Sequence, residues 1–141
     1  MATPSPQSLL IVGGGRGIGF EATKYLLSVT PSTVKIVIFS LDVVQELTGW
    51  ASKELAGRLF VVVGDVTNAD DRNKALQTCL DEARGINTLV YCAGIITPID
   101  RIDNVDLAMV RKSYDVNVFG AMEMVRLFTR RKKAFQAWLG Y

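Results

Sequence analysis

Histidine is absent from this 141-residue sequence, and only two cysteines occur, Cys79 and Cys92, with no C-x-x-C spacing. The first absence removes the usual base of a nucleophilic triad, and the two together remove the ligand sets of zinc sites. Two lone cysteines are read as buried thiols. No apolar run reaches the ~18 residues a membrane span requires. The stretch from Met1 to Ser8 carries two prolines and no charged side chain. It does not resemble a secretory or transit segment and is read as a short disordered lead. A single cytoplasmic domain is the expectation, with neither a membrane nor a nucleic acid as partner.

Charge is scarce at one end in one sign. No acidic residue follows Glu123, whereas Arg126, Arg130, Arg131, Lys132 and Lys133 are five of the 16 basic residues. The remainder holds 11 basic against 14 acidic residues and is slightly acidic. A basic partner surface, if there is one, is confined to the C-terminus.

What the sequence does contain is alternation. Ser8 to Gly13 is a short apolar run stopped by glycines and predicts a buried strand. Gly17 to Val29 places Ile18, Ala22, Tyr25, Leu26 and Val29 at helical spacing before Pro31. Val34 to Ser40 predicts a second strand. Asp42 to Ala56 predicts a helix, with Asp42 as N-cap and Gln45 completing a capping box. A third strand follows near 59–64, then a helix from the Thr67-to-Asp70 start to Arg84, ended by Gly85. A fourth strand lies near 87–93, and the pattern is helical from about Asn104 onward. Strict β-α alternation with continuously apolar strands predicts an α/β, Rossmann-like doubly wound parallel sheet of about four strands in the order 3-2-1-4.

The loop after strand 1 reads Val12-Gly13-Gly14-Gly15-Arg16-Gly17-Ile18-Gly19. No register fits G-x-G-x-x-G, and Phe20 excludes the G-K-[ST] ending of a P-loop. Gly13, Gly17 and Gly19 fit G-x-x-x-G-x-G. Between a strand and a helix, such a loop lets backbone N–H groups and the positive end of the helix approach a pyrophosphate. A side chain added at Gly19 is expected to crowd that group. S-adenosylmethionine-dependent methyltransferases also place a glycine loop after strand 1, but the 13/17/19 spacing argues against them.

This loop resembles that of the short-chain dehydrogenase/reductase family, T-G-x-x-x-G-I-G, with Val12 in place of Thr. Further landmarks match in order: Asp65 and Val66 after strand 3, Ala93 and Gly94 where the family has N-N-A-G, and Asn117 in the following helix. Tyr91 and Cys92 stand where the family has its two asparagines. The resemblance implies that Gly13, Gly15, Arg16, Gly17, Ile18 and Gly19 hold a dinucleotide. It also implies that Asp65 and Val66 meet the adenine, that Ala93 and Gly94 lie near the nicotinamide-side ribose, and that Asn117 helps hold a water in a proton relay. Strand 2 ends Phe39-Ser40-Leu41-Asp42. With Asp42 read as a cap, Ser40 and no acid at 40 or 41, and Arg16 inside the loop, the resemblance implies NADP(H) rather than NAD.

The family's chemistry also uses a Ser and a Y-x-x-x-K pair. Tyr25, Tyr91 and Tyr114 are followed four positions later by Val29, Ile95 and Val118, and Tyr141 is the last residue. The resemblance therefore covers residues 9 to about 125 and implies the cofactor-binding part of a carbonyl/alcohol oxidoreductase, incomplete as this chain. A small carbonyl substrate then belongs to a full-length relative, and Asn117 is a remnant of the catalytic set. The alternative is a non-catalytic dinucleotide-binding or protein-interaction module. The basic segment 129–141 departs from the family's continuation. It reads either as an atypical tail or as an amphipathic helix suited to a membrane surface or a calmodulin-like partner. Self-association through strand 4 and the long helix is expected, with Met109, Val116, Met122 and Val125 as the exposed apolar surface.

Overall fold

The computed structural model describes residues 8–138, with side chains described through residue 131. The expected lead lies outside the described residues, apart from Ser8 itself. So do the tail side chains beyond Arg131. Four strands, β1 (Ser8–Val12), β2 (Lys35–Ser40), β3 (Leu59–Val63) and β4 (Thr88–Tyr91), form one parallel sheet in the order β3-β2-β1-β4. Each lies inside the strand expected from the sequence. The helices are α1 (Gly17–Val29), α2 (Gln45–Ser52), α3 (Ala69–Ala83), α4 (Leu107–Tyr114) and α5 (Ala121–Trp138). A π-helical turn, Asp115–Gly120, joins the last two.

The apolar strands bury both faces because a parallel sheet is covered on both sides. Leu10, Val12, Val37, Phe39 and Val62 pack with Leu76 and Cys79 of α3 and Met124 of α5. Ile11, Ile36, Ile38 and Leu59 face the other way and pack with Leu47, Phe20, Leu26 and Trp50 from α1 and α2. Alternate residues of β1 and β2 thus serve two cores, which is the doubly wound arrangement. Ser8 staples the start of β1 to the start of β4: its N–H donates to Asn87 Oδ1 at 2.8 Å and its hydroxyl to the Gly85 carbonyl at 2.7 Å. Among the described residues no helix is long and apolar enough to cross a membrane.

Three expectations need correction. Asp42 does not cap α2. That helix starts at Gln45 with Val44 at its N-cap and no side-chain cap, because Asp42 turns away to pair with Arg16. The two thiols also differ. Cys79 is buried and its pKa is pushed up to about 12 by desolvation, whereas Cys92 is only half-buried. The apolar surface of the long helix is not the expected set either. Met109 faces a cleft and Val116 packs against the core, while Met122 and Val125 are 63% and 53% exposed beside Tyr114 and Val118. Met109 precedes the π turn and Val116 lies within it, whereas Met122 and Val125, which follow it, are exposed as expected.

The ends of α3 show local control of this framework. Asn68 caps it by accepting from the N–H groups of Asp70 at 2.8 Å and Asp71 at 3.1 Å. Arg84 ends it in the left-handed region at φ +57°, ahead of Gly85. That conformation costs an L-residue with a side chain and costs glycine nothing. Asn68→Ala is expected to cost about 1 kcal/mol and Arg84→Gly to add about 0.5–1 kcal/mol. Thermal melts of both variants check this, and a lower midpoint for Arg84→Gly would contradict it.

Candidate functional site

The C-terminal ends of the strands open into a cleft of about 410 Å³, a size typical of ligand pockets. It lies where the chain, having added β2 and β3 on one side of β1, returns to place β4 on the other. In open α/β sheets that switch point is where ligands bind. Of the residues singled out in the sequence, Gly13, Arg16, Gly17, Ile18, Gly19, Ser40, Asp65, Val66, Ala93 and Gly94 line this cleft. Gly15 does not; it sits beneath the turn after β2, against the Asp42 carbonyl and Ser40.

The glycine loop is packed on its own backbone. Gly13, at φ +79°, lies so close to the Ala93 backbone that a Cβ would collide with it, and a Cβ on Gly19 would strike the Gly13 carbonyl. A side chain at Gly19 therefore breaks the loop before it crowds any ligand, which corrects the sequence expectation. Gly17 is the open position: at φ +56°, a Cβ there meets nothing within 4 Å. The loop is tied to β2 by the Gly13 N–H donating to the Phe39 carbonyl at 2.7 Å, and to the start of α2 by the Val44 N–H donating to the Gly15 carbonyl at 2.9 Å.

Helix α1 enters the cleft with its N-terminus bare. Arg16 at its N-cap makes no side-chain cap, and no acidic residue occupies its first turn. Its first N–H groups, on cleft-lining Gly17, Ile18 and Gly19, have no partner within the helix, so the positive end of α1 lies at the cleft wall. At the cleft mouth Arg16 Nε stands 3.2 Å from Asp42 Oδ2. Ser40 donates its hydroxyl proton to the Asp42 carbonyl at 2.8 Å, so it holds the turn after β2 in place.

Asp65 makes a turn and lines the cleft at once. Its Oδ1 accepts from both the N–H and the hydroxyl of Thr67, each at 2.8 Å, which leaves its other oxygen for the cleft. On the far side, Asn117 clamps the loop after β4. Its Oδ1 accepts from the Ile95 N–H at 2.9 Å and its Nδ2 donates to the Ile95 carbonyl at 2.8 Å. The Asn117 amide is thus committed to positioning Gly94 and Ile95.

Three further features carry no signal in the residue pattern. Met109 and Lys112 of α4 reach the cleft, and Lys112 forms no ion pair among the described residues. The third is Tyr91, whose hydroxyl donates to the Val116 carbonyl at 2.5 Å. A π turn withdraws carbonyls from the regular ladder, and this phenol takes one of them. Tyr91 is half-buried, and desolvation pushes its pKa up to about 12 against a smaller lowering by Arg72.

The model of the family described as short chain dehydrogenase matches residues 7–136. An uncharacterized oxidoreductase of Saccharomyces cerevisiae is 26% identical over 117 residues, 83% of this chain and 45% of that protein. A short-chain dehydrogenase/reductase of Aspergillus aculeatus is 31% identical over 136 residues, 86% of this chain and 47% of that one. The crystal structure of the yeast protein superposes with a TM-score of 0.82 at 23% identity, over 92% of this chain and 50% of that chain. The chain therefore spans about half the length of the relatives it matches.

The Tyr91 contact yields a measurable consequence. Tyr91→Phe leaves the Val116 carbonyl without its donor and is expected to cost about 1–3 kcal/mol. A phenol whose folded pKa is raised stabilises the fold below its unfolded value of ~10 and loses that contribution as pH rises toward 12. The wild-type minus Tyr91→Phe absorbance difference is expected to show a phenolate transition near pH 12. A transition near pH 10 would contradict the buried contact.

Proposed function

We propose a function from one premise: the chain belongs to the short-chain dehydrogenase family. It binds a nicotinamide dinucleotide in the cleft, with the pyrophosphate at the bare N-terminus of α1. The observation that carries this reading is the glycine loop itself. Gly13 and Gly19 close it by backbone contact, while Gly17 leaves open the space that a diphosphate needs. The residues present fit the group. Asp65, Val66, Ala93 and Gly94 line the cleft, and in this reading the first two meet the adenine and the last two lie near the nicotinamide-side ribose. Gly15 supports the loop from beneath, and Asn117 holds Gly94 and Ile95 in position for the same ribose.

When bound, the nicotinamide supplies the hydride chemistry of a carbonyl/alcohol oxidoreductase. This chain contributes binding and orientation. It has no Y-x-x-x-K pair to pass a proton to a small carbonyl substrate, so we read it as inactive alone. A cytoplasmic location goes with that reading. NADP(H) is the proposed cofactor; supporting it, Arg16 at the cleft mouth is an exposed guanidinium, paired there with Asp42, of the kind that takes a 2′-phosphate.

A second reading, self-association, rests on the sheet edge. Leu89, Val90 and Tyr91 of β4 are half-buried and apolar, and β4 has no neighbour on its outer side among the described residues. The stripe of Tyr114, Val118, Met122 and Val125 is exposed as well. An apolar edge and an apolar helix stripe are both sites of chain–chain pairing.

Fluorescence titration of the 141-residue chain tests the cofactor reading. NADPH is expected to bind more tightly than NADH, Arg16→Ala to remove the difference, and no carbonyl-dependent NADPH oxidation to occur. Absence of binding by both dinucleotides, or equal binding by the wild type, would overturn it.

A further inference from the structure

The edge of the sheet opposite β4 is β3, and its outer side is open among the described residues. The Ile36 N–H donates to the Arg58 carbonyl at 2.8 Å and the Gly64 N–H to the Ser40 carbonyl at 3.0 Å. Bonding residues alternate along a parallel strand. Phe60 and Val62 therefore bond to β2, while Leu59, Val61 and Val63 turn their main-chain groups outward. The Leu59 N–H is taken by the Leu55 carbonyl at 2.9 Å. The Leu59 carbonyl and both main-chain groups of Val61 and Val63 have no partner among the described residues. Natural edges are blunted by proline, charge or a bulge. The strand reads Leu-Phe-Val-Val-Val and carries neither a proline nor a charge.

A groove of about 380 Å³ runs along this edge. One wall is made of small residues of α2, Thr48, Ala51 and Ser52, and lets another strand come close. The other wall is Lys74, Thr78 and Glu82, four residues apart and so on one face of α3. Glu82 lies at the strand-start end, where Lys35 Nζ of neighbouring β2 donates to its carbonyl at 2.8 Å. Lys74 lies toward the strand end, because α3 runs back against β3 to reach β4. Neither Lys74 nor Glu82 forms an ion pair among the described residues.

We infer that this edge pairs with the same edge of a second copy of the chain, in a two-fold antiparallel dimer whose sheet runs through both molecules. Charge complementarity selects that occupant. A two-fold axis at Val61 sets the strand end of one copy against the strand start of the other. Lys74 then meets the partner's Glu82, and Glu82 meets the partner's Lys74. Thr78, a short residue, meets the partner's Thr78 between them. Parallel pairing of two copies would instead set like charge against like charge. Along the strands, Val61 exchanges N–H···O bonds with the partner's Val61, and the Val63 N–H donates to the partner's Leu59 carbonyl. Every free N–H of the edge is then used. This surface is separate from β4 and the long helix, and the pairing does not depend on the reading of the cleft.

Sedimentation velocity of the 141-residue chain over a concentration series, with amide exchange followed at Val61 and Val63, tests the pairing. A dimer is expected, and both amides are expected to slow as it fills. Glu82→Lys and Lys74→Glu each place like charges at both ends of the contact. Each is expected to weaken the dimer by about tenfold or more, with an unchanged circular dichroism spectrum. An equimolar mixture of the two single variants is expected to dimerise again, because each chain supplies the charge the other lacks. A chain that stays monomeric, single variants that dimerise as well as the wild type, or a mixture no tighter than its components overturns the inference. Association that leaves Val61 and Val63 exchanging freely assigns the contact to β4 or the long helix and overturns it as well. So does protection of these amides only after a β-prone peptide of unrelated sequence is added, which gives the edge to a foreign strand.

Discussion

Backbone touches backbone at the C-terminal end of β1. Gly13 packs on the Ala93 main chain at the end of β4, and Gly19 packs on the Gly13 carbonyl. No side chain fits in either contact, and the rest of the site follows from them. The first contact brings the ends of β1 and β4 together under the loop. The second folds α1 back across those ends, so that Gly17, Ile18 and Gly19 at its N-terminus line the cleft. If the loop is opened by even one methyl group at Gly19, the helix N-terminus loses its address.

The opposite wall is built by a different device. A regular helix satisfies its own carbonyls and offers none to a neighbour. The π turn at Asp115–Gly120 departs from that regular ladder: Tyr91 bonds one of its carbonyls, and Asn117, a residue of the turn, bonds outward through its own side chain. Tyr91 reaches up from β4 to the Val116 carbonyl, and Asn117 reaches back to both polar groups of Ile95. Together they fasten the helix to the strand whose end forms the cleft floor. Tyr91 stands where the resemblance expects an asparagine, so a bulkier side chain serves here as a link between strand and helix.

Much of this was legible in the residues, for local reasons. β-branched runs bounded by glycine, a helix start within Thr67 to Asp70 and a helix ended at Arg84-Gly85 are decided within a few positions of themselves, and the strand order follows from crossover handedness. What was not legible depends on partners far along the chain. Asp42 reads as a helix cap until Arg16, 26 positions earlier, is seen to claim it. Met109 and Val116 were misassigned to the outward face because their cover is the cleft wall and the sheet core, which hydrophobic spacing along one helix does not report. Lys112 and Met109 entered the cleft unannounced, since only the docking angle of α4 takes them there.

The central claim is that a dinucleotide lies against the glycine loop and the end of β4. The most direct measurement is backbone amide chemical-shift mapping of the isotopically labelled chain during an NADPH titration. The account predicts saturable shifts concentrated on Gly13, Gly17, Ile18, Gly19, Gly94 and Ile95, with little change along α3. Shifts centred instead on α2 and the outer edge of β3, or none at saturating NADPH, would contradict it.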